Sequence, residues 1–247
     1  MIKLLTIDSE RNSAQKLGFE THVYNYDRIE KYDNDIIIRW GNSSLFYDKD
    51  GKLKEFKNVL NRGENIRLNC EKNKSLQKLS GVVKTPKIYY EEVSKNRLVV
   101  YRSIWHSNGK GFKVEKGPFK IKKEYYATQW IKTDKEFRVF YCNNNGGQFL
   151  LCRRITYRKD RLKERYKCRS KWGYSFFKKV PEKLKKQVKL AFDRIKLDIG
   201  AADILYKDKR YYFLEINSSP TVDSDQIENF YKENLVKLAK EKFPQLL

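Results

Sequence analysis

Sulfur and imidazole are scarce in this 247-residue chain, which holds four cysteines, one methionine and two histidines. The cysteines, at 70, 142, 152 and 168, show no C-x-x-C spacing, and only His22 and His106 are available to complete a zinc site. That composition argues against a structural zinc and leaves the thiols as small buried hydrophobes. No run of eighteen apolar residues occurs, so a spanning helix is excluded. The start, Met1-Ile2-Lys3-Leu4-Leu5-Thr6-Ile7-Asp8, is too short and too soon acidic for a signal peptide. The expectation is a reduced, cytoplasmic protein with no membrane contact. Internal repeats and low-complexity linkers are also missing, and 40% hydrophobic content suffices for a buried core.

Acidic side chains are in deficit: 31 Asp and Glu face 54 Lys and Arg, a formal charge of +23. Such a surplus draws a protein towards polyanions, so nucleotides, nucleic acid and acidic proteins all qualify as partners. The surplus is uneven. From Arg153 to Lys189 sixteen basic residues stand against three acidic ones, interleaved with Tyr157, Tyr166, Trp172, Tyr174, Phe176 and Phe177. Basic residues mixed with aromatics mark nucleic-acid surfaces as well as docking sites for acidic peptides. The stretch from Asp198 to Leu247 is close to neutral.

The spacing of apolar residues predicts strands at Ile2–Ile7 and Asp35–Trp40, the second closed by Gly41-Asn42-Ser43-Ser44. Short apolar runs of that kind suit buried parallel strands whose C-terminal ends face a ligand crevice. A helix is predicted over 71–80, stopped by Gly81. A hairpin comes next, with strands at Arg97–Arg102 and Phe112–Val114 around Ser107-Asn108-Gly109-Lys110-Gly111. Two further hairpins pair Glu136–Tyr141 with Gln148–Cys152, and Ala201–Tyr206 with Tyr211–Ile216. Helices run from Pro181 to about Leu197 and from about Ser224 to Lys242.

Three features carry chemistry. Asp203 on one strand and Glu215-Ile216-Asn217 on its hairpin partner can bring three oxygen ligands to one point, since residues two apart on a strand share a face. Hard oxygen donors of this type hold magnesium bridged to phosphates. A metal also compensates two acids in apolar strands, the alternative being ion pairs with neighbouring bases. The glycine loop Ser107–Gly111, after a strand ending in Arg102, offers backbone N–H groups and Lys110 to a phosphate, although its spacing is not that of a P-loop and a simple turn would also account for it. The run Tyr125-Tyr126-Ala127-Thr128-Gln129-Trp130-Ile131 can stack a flat purine, leaving Glu136 to accept from ribose hydroxyls; a buried strand is the plainer alternative.

In their order along the chain these pieces resemble the ATP-grasp superfamily, over residues from about 69 to 220. Glu215-Ile216-Asn217-Ser218-Ser219-Pro220 with Asp203 is the most specific part. The resemblance is nearest to small bacteriophage ATP-grasp proteins similar to ribosomal-protein glutamate ligases and tubulin–tyrosine ligase. Their pattern is echoed by Glu136-Phe137-Arg138-Val139, Arg153-Arg154 and Trp172-Gly173-Tyr174-Ser175-Phe176.

The resemblance implies an α/β fold of two lobes clasping a nucleotide: a small N-terminal α/β domain at 1–64, a small lobe with the flap at 65–125, and a C-terminal lobe at 126–247. It implies ATP and Mg2+ as cofactors. Lys72 and Arg102 would hold phosphates, with Arg102 standing where the family has a lysine, under a flap formed by Ser107, Asn108, Gly109, Lys110 and Gly111. Gln129, Trp130 and Ile131 would line the adenine hinge, Glu136 would bind ribose, and Asp203, Glu215 and Asn217 would hold the metal. Ala201 departs from relatives that carry an arginine there, so Arg138, Arg153 or Arg154 would supply the catalytic charge. The implied activity is a carboxylate-amine ligase working through an acylphosphate on an acidic peptide or protein acceptor. A small-molecule kinase of inositol-phosphate type and a non-catalytic nucleic-acid-binding protein are the alternatives. The substrates and the oligomeric state are not specified by the sequence.

Overall fold

The computed structural model describes residues 1–23, 32–47, 50, 52–104, 113–133, 135–156 and 172–247. The first sheet holds β1 (Ile2–Thr6), β2 (Glu20–Val23), β3 (Ile36–Trp40) and, after a small ribbon of β4 (Phe46–Tyr47) and β5 (Leu53–Lys54), β6 (Val59–Leu60). Its order is β2-β1-β3-β6 and all its pairings are parallel, with Leu4 opposite Ile38. The predicted buried parallel strands are therefore present, and β3 is inaccessible along its whole length. The short α1 (Arg11–Gln15) connects β1 to β2.

Buried Arg39 fastens this sheet to α2 (Gly63–Cys70). Its guanidinium donates to Glu55 through Nε (3.1 Å) and to the Ser44 carbonyl through Nη1 (2.8 Å). The other Glu55 oxygen accepts from the Gly63 N–H (2.8 Å) at the start of the helix. Buried ions need such saturation, because an unpaired one costs several kcal/mol. Helix α3 (Lys72–Ser80) comes next, at the predicted position, and ends at Gly81.

The middle sheet, ordered β10-β9-β12-β7, uses β7 (Ile88–Tyr89), β9 (Leu98–Ser103), β10 (Lys113–Lys116) and β12 (Tyr125–Gln129). A two-stranded ribbon of β8 (Glu92–Val93) and β11 (Phe119–Lys120) lies beside it in the chain. Tyr101 pairs with Lys113 across β9 and β10, so the predicted hairpin is present, while its glycine tip lies outside the described residues.

The third sheet is antiparallel, in the order β15-β14-β13-β16-β17. It comprises β13 (Glu136–Cys142), β14 (Gln148–Thr156), β15 (Trp172–Phe176), β16 (Ile199–Lys207) and β17 (Arg210–Asn217). Its alternation separates two faces. Val139, Tyr141, Ala202, Ile204, Phe213 and Ile216 join Leu79 of α3 and the apolar stripe of α4 (Glu182–Ile195) in one core. That stripe, Leu184, Val188, Phe192 and Ile195, is buried as its helical spacing predicts, each side chain contributing about 1.5–3 kcal/mol. Phe140, Cys142, Cys152 and Ala201 point the other way, into a core shared with Leu4, Ile38 and Trp40 of the first sheet and with α5 (Asp225–Lys242). The N-cap residue Ser224 accepts from the Ile227 N–H (3.4 Å). Among the described residues no helix is long and apolar enough to cross a membrane.

Candidate functional site

The second face of the third sheet carries a charged cluster at the open end of β13, β14, β16 and β17. Arg138 stands opposite Asp203 in the β13/β16 register, and Asp203 stands opposite Glu215 in the β16/β17 register. A register shift between Asp203 and Ile204 decides what faces what. Asp203 pairs with Glu215 but Ile204 pairs with Phe213, so Leu214 is the extra residue of a β-bulge. Without the bulge Glu215 would share the face of Phe213 and enter the helix-covered core. With it, Glu215 and Asn217 turn to the face of Asp203, while Ile216 takes the core position.

Asp203 is buried and bound bidentately by Arg138, Nε to Oδ1 at 2.6 Å and Nη2 to Oδ2 at 2.7 Å. Arg154 approaches the same carboxylate at 3.4 Å and donates to Glu136 Oε1 at 2.8 Å. Burial alone would raise the Asp203 carboxyl, but the Arg138 and Arg154 charges hold it well below the usual carboxylate range. Burial likewise opposes the charge of Arg138, and the Asp203 carboxylate overcomes it, raising an already high pKa. The Tyr174 hydroxyl lies 3.5 Å from Arg138 Nη1.

Asn217 Nδ2 reaches Asp203 Oδ2 at 3.5 Å and Glu215 Oε1 at 3.3 Å, so the three predicted metal-ligating residues do converge. On the opposite side Lys72, the first residue of α3, donates to the Ile216 carbonyl (3.2 Å) and sits 3.9 Å from Glu215 Oε2. Asn69 of α2 donates to that same carbonyl (2.7 Å) and accepts from Ser75 (2.8 Å), which fixes the helix pair against the end of β17. From the middle sheet, Arg102 stands opposite Tyr126 and hydrogen-bonds its hydroxyl; burial pushes that phenol up to about 12, and Glu215 lies close enough to act on it. Lys72 thus meets the Glu215 carboxylate directly, while Arg102 is tied to the neighbouring Tyr126.

Magnesium fits this donor set in part. Glu215 and Asn217 are half-buried and carry hard oxygens, Asn217 turning its amide nitrogen towards the Glu215 carboxylate, and magnesium needs only one or two carboxylates when phosphates and water fill the remaining positions. Asp203 is different, because the compensation expected of a metal is supplied by Arg138. Among the described residues no group of three or more His, Cys, Asp or Glu side chains gathers.

The remaining expected residues are spread over the middle and third sheets. Gln129 ends β12, its N–H bonded to the Lys87 carbonyl (2.8 Å); Trp130 donates to the Leu98 carbonyl (3.1 Å); Ile131 is buried. Glu136 lies at the start of β13 with one oxygen on Arg154. Strand alternation sends Arg153 to the face opposite Arg154, so the two neighbouring arginines are not brought together. The flap residues Ser107, Asn108, Gly109, Lys110 and Gly111, and the basic stretch at 157–171, lie outside the described residues. Gly41, at the C-terminal end of β3, abuts the segment after β17: a Cβ there would sit 2.5 Å from Ser219 Oγ.

Three solved structures resemble the overall fold of this chain. D-alanine–D-alanine ligase from Bacillus anthracis matches at a TM-score of 0.62 and 14% identity, covering 100% of this chain and 98% of its own. A structure of the same enzyme complexed with ATP matches at 0.59 and 14%, with 98% of each chain covered. The ATP-grasp ligase PsnB, complexed with a minimal precursor, matches at 0.59 and 12%, covering 96% of this chain and 99% of its own. The fold is the ATP-grasp fold. No family model matches the sequence, and no curated protein matches it significantly. In this ATP-grasp fold the cluster lies where the middle sheet, α3 and the third sheet meet.

Sequence reasoning missed Tyr126 as the partner of Arg102, Asn69 as the anchor of α2, and the bulge itself. Only the first had a visible signal, an aromatic with a hydroxyl in a buried strand, which requires a polar partner.

Proposed function

We propose that this chain is an ATP-dependent carboxylate-amine ligase that forms an amide through an acylphosphate, with a peptide or protein rich in acidic residues as acceptor. The observation that carries the reading is the meeting of Lys72, Glu215 and Asn217 beside the Arg138–Asp203 pair, with Tyr126 and its partner Arg102 of the middle sheet near Glu215. Arginines and lysines converging at the junction of two sheets suit a triphosphate. A lone structural ion pair would need neither the second sheet nor Asn217.

In this reading Lys72 and Arg102 hold the phosphates, with Tyr126 orienting Arg102. Gln129, Trp130 and Ile131 line the adenine hinge, Glu136 takes the ribose, and Ser107 to Gly111 with Lys110 cover the phosphates. Glu215 and Asn217 would hold magnesium, with Asp203 adding to them only by loosening its 3.4 Å contact to Arg154. Bound magnesium supplies charge neutralisation on the phosphates. The acceptor carboxylate attacks the terminal phosphorus and ADP leaves; an amine then attacks the acyl carbon and inorganic phosphate leaves. No protein nucleophile takes part. Catalysis is positioning plus charge stabilisation on the moving phosphoryl group. Arg138 and Arg154 provide that charge, and Asp203 is the positioning residue that fixes Arg138. A kinase would instead leave a phosphate ester, so the product decides between the two chemistries.

The test is ADP release measured against pooled amino acids, peptides and acidic proteins, with mass spectrometry of the products. An amide product with stoichiometric ADP is expected. A stable phosphorylated product, or no ADP release with any pool, would contradict the reading.

A further inference from the structure

The face of the third sheet that looks away from the charged cluster is not wholly covered by helix. At its open end, beyond the α4 stripe, lies a row of aromatic rings drawn from successive strands. Phe177, just past β15 and held by its N–H on the Leu151 carbonyl (2.9 Å), is 42% exposed. Its ring centroid is 5.9 Å from Phe137 of β13, which is 6.3 Å from Tyr206 of β16, which is 4.9 Å from Tyr211 of β17. Arg153 of β14 stands opposite Phe137 in the same row. Phe137, Tyr206 and Tyr211 are half-buried, Phe137 and Tyr211 packing against the α4-covered core.

Cations frame this row. Lys135 Nζ lies 5.7 Å above the Tyr206 ring. Lys178 and Lys179 come directly after Phe177, while Lys209 lies in the turn before β17 and Arg210 is the first residue of that strand; all four are exposed and form no ion pair among the described residues. The neighbouring acids are Asp208 and Glu182.

A purely structural ladder does not require lysines on both sides of it. A partner of charge alone, such as an acidic peptide, would match the lysines and leave the rings unused. Bases of a single strand use both, stacking on the rings while phosphates meet the lysines; in a duplex the base faces are already stacked and out of reach. We propose that this open sheet end, Phe177-Phe137-Tyr206-Tyr211 with its flanking lysines, binds single-stranded nucleic acid without strong sequence preference. The site uses no residue of the ligase reading and lies on the opposite face, so either can fail without the other.

The experiment is fluorescence anisotropy of the full chain with a labelled oligothymidylate of about twenty nucleotides. Four or so phosphate contacts, each contributing about 0.7 to the log–log salt slope, predict roughly fiftyfold weakening between about 50 and 200 mM salt. Phe177→Ala should weaken binding about tenfold and Phe177→Trp restore it, since loss of one stacked base is of that order. Lys178→Glu with Lys179→Glu should weaken it more, while ATP binding stays unchanged. Three results would overturn the proposal: equal binding of a duplex, equal displacement by polyglutamate at the same charge concentration, or oligonucleotide binding by Phe177→Ala and the double lysine variant that matches the parent chain.

Discussion

Both oxygens of Asp203 are taken by Arg138, and that pair is buried between strands of the central hairpins. Removing one partner of such a pair leaves an uncompensated charge, so Asp203→Asn is expected to cost about 3–5 kcal/mol in urea unfolding. The pH dependence has a definite sign. Because the folded carboxyl titrates below its unfolded value, its stabilisation is complete above the ordinary range of about 4 and drains away as pH falls below it. The gap in unfolding midpoint between the parent and Asp203→Asn should therefore narrow from pH 7 towards pH 3; a gap that widens on acidification would contradict the pairing. The candidate residues were legible here as residue types, because Asp203 and Glu-x-Asn sit in apolar strands where a carboxylate needs a reason. What compensates Asp203 was not legible. A charge 65 positions away in sequence, on a strand separated from β16 by a hairpin and a helix, becomes a neighbour only when the sheet order is known.

At the scale of elements, hairpins and amphipathic helices came from local pattern: α3, α4 and α5 begin and end within a residue or two of their expected places. Two elements did not. Helix α2 has only Ile66 and Asn69 among its buried side chains after Gly63, too few to make a periodic stripe. The bulge in β17 leaves no trace in a pattern that still alternates on paper. Further along the same pair of strands, Gly200 has a φ of +153°, and an added Cβ there would lie 2.4 Å from the Asn217 carbonyl oxygen. Gly200→Ala should cost more than about 2 kcal/mol, the strain of that conformation adding to a backbone clash. Gly146 also has positive φ, but an added Cβ there meets nothing within 4 Å. Gly146→Ala should cost about 1–2 kcal/mol, the left-handed conformation alone. Equal losses for the two variants in denaturant unfolding would contradict the close approach of β16 and β17 at Gly200.

For the whole molecule, α3, the middle sheet and the third sheet bring groups distant in sequence to one junction: Lys72 meets Glu215 and Asn217, with Tyr126 and its partner Arg102 beside them. Their order along the chain was readable, and so was the parallel character of the first sheet. The split of the basic surplus between two faces was not: Arg154 points to the cluster, whereas Arg153 and the exposed lysines of α4 belong to the other face. Charge counted along a strand says nothing about sides until the register is fixed. The central claim is that this junction grips a nucleoside triphosphate through a divalent cation. Titration calorimetry of ATP with and without magnesium, on the parent chain and on Glu215→Ala, tests it directly. The account predicts magnesium-dependent binding that weakens more than tenfold in the variant while its unfolding midpoint is retained. ATP binding that ignores both magnesium and Glu215, or no binding at all by the folded parent, would contradict it.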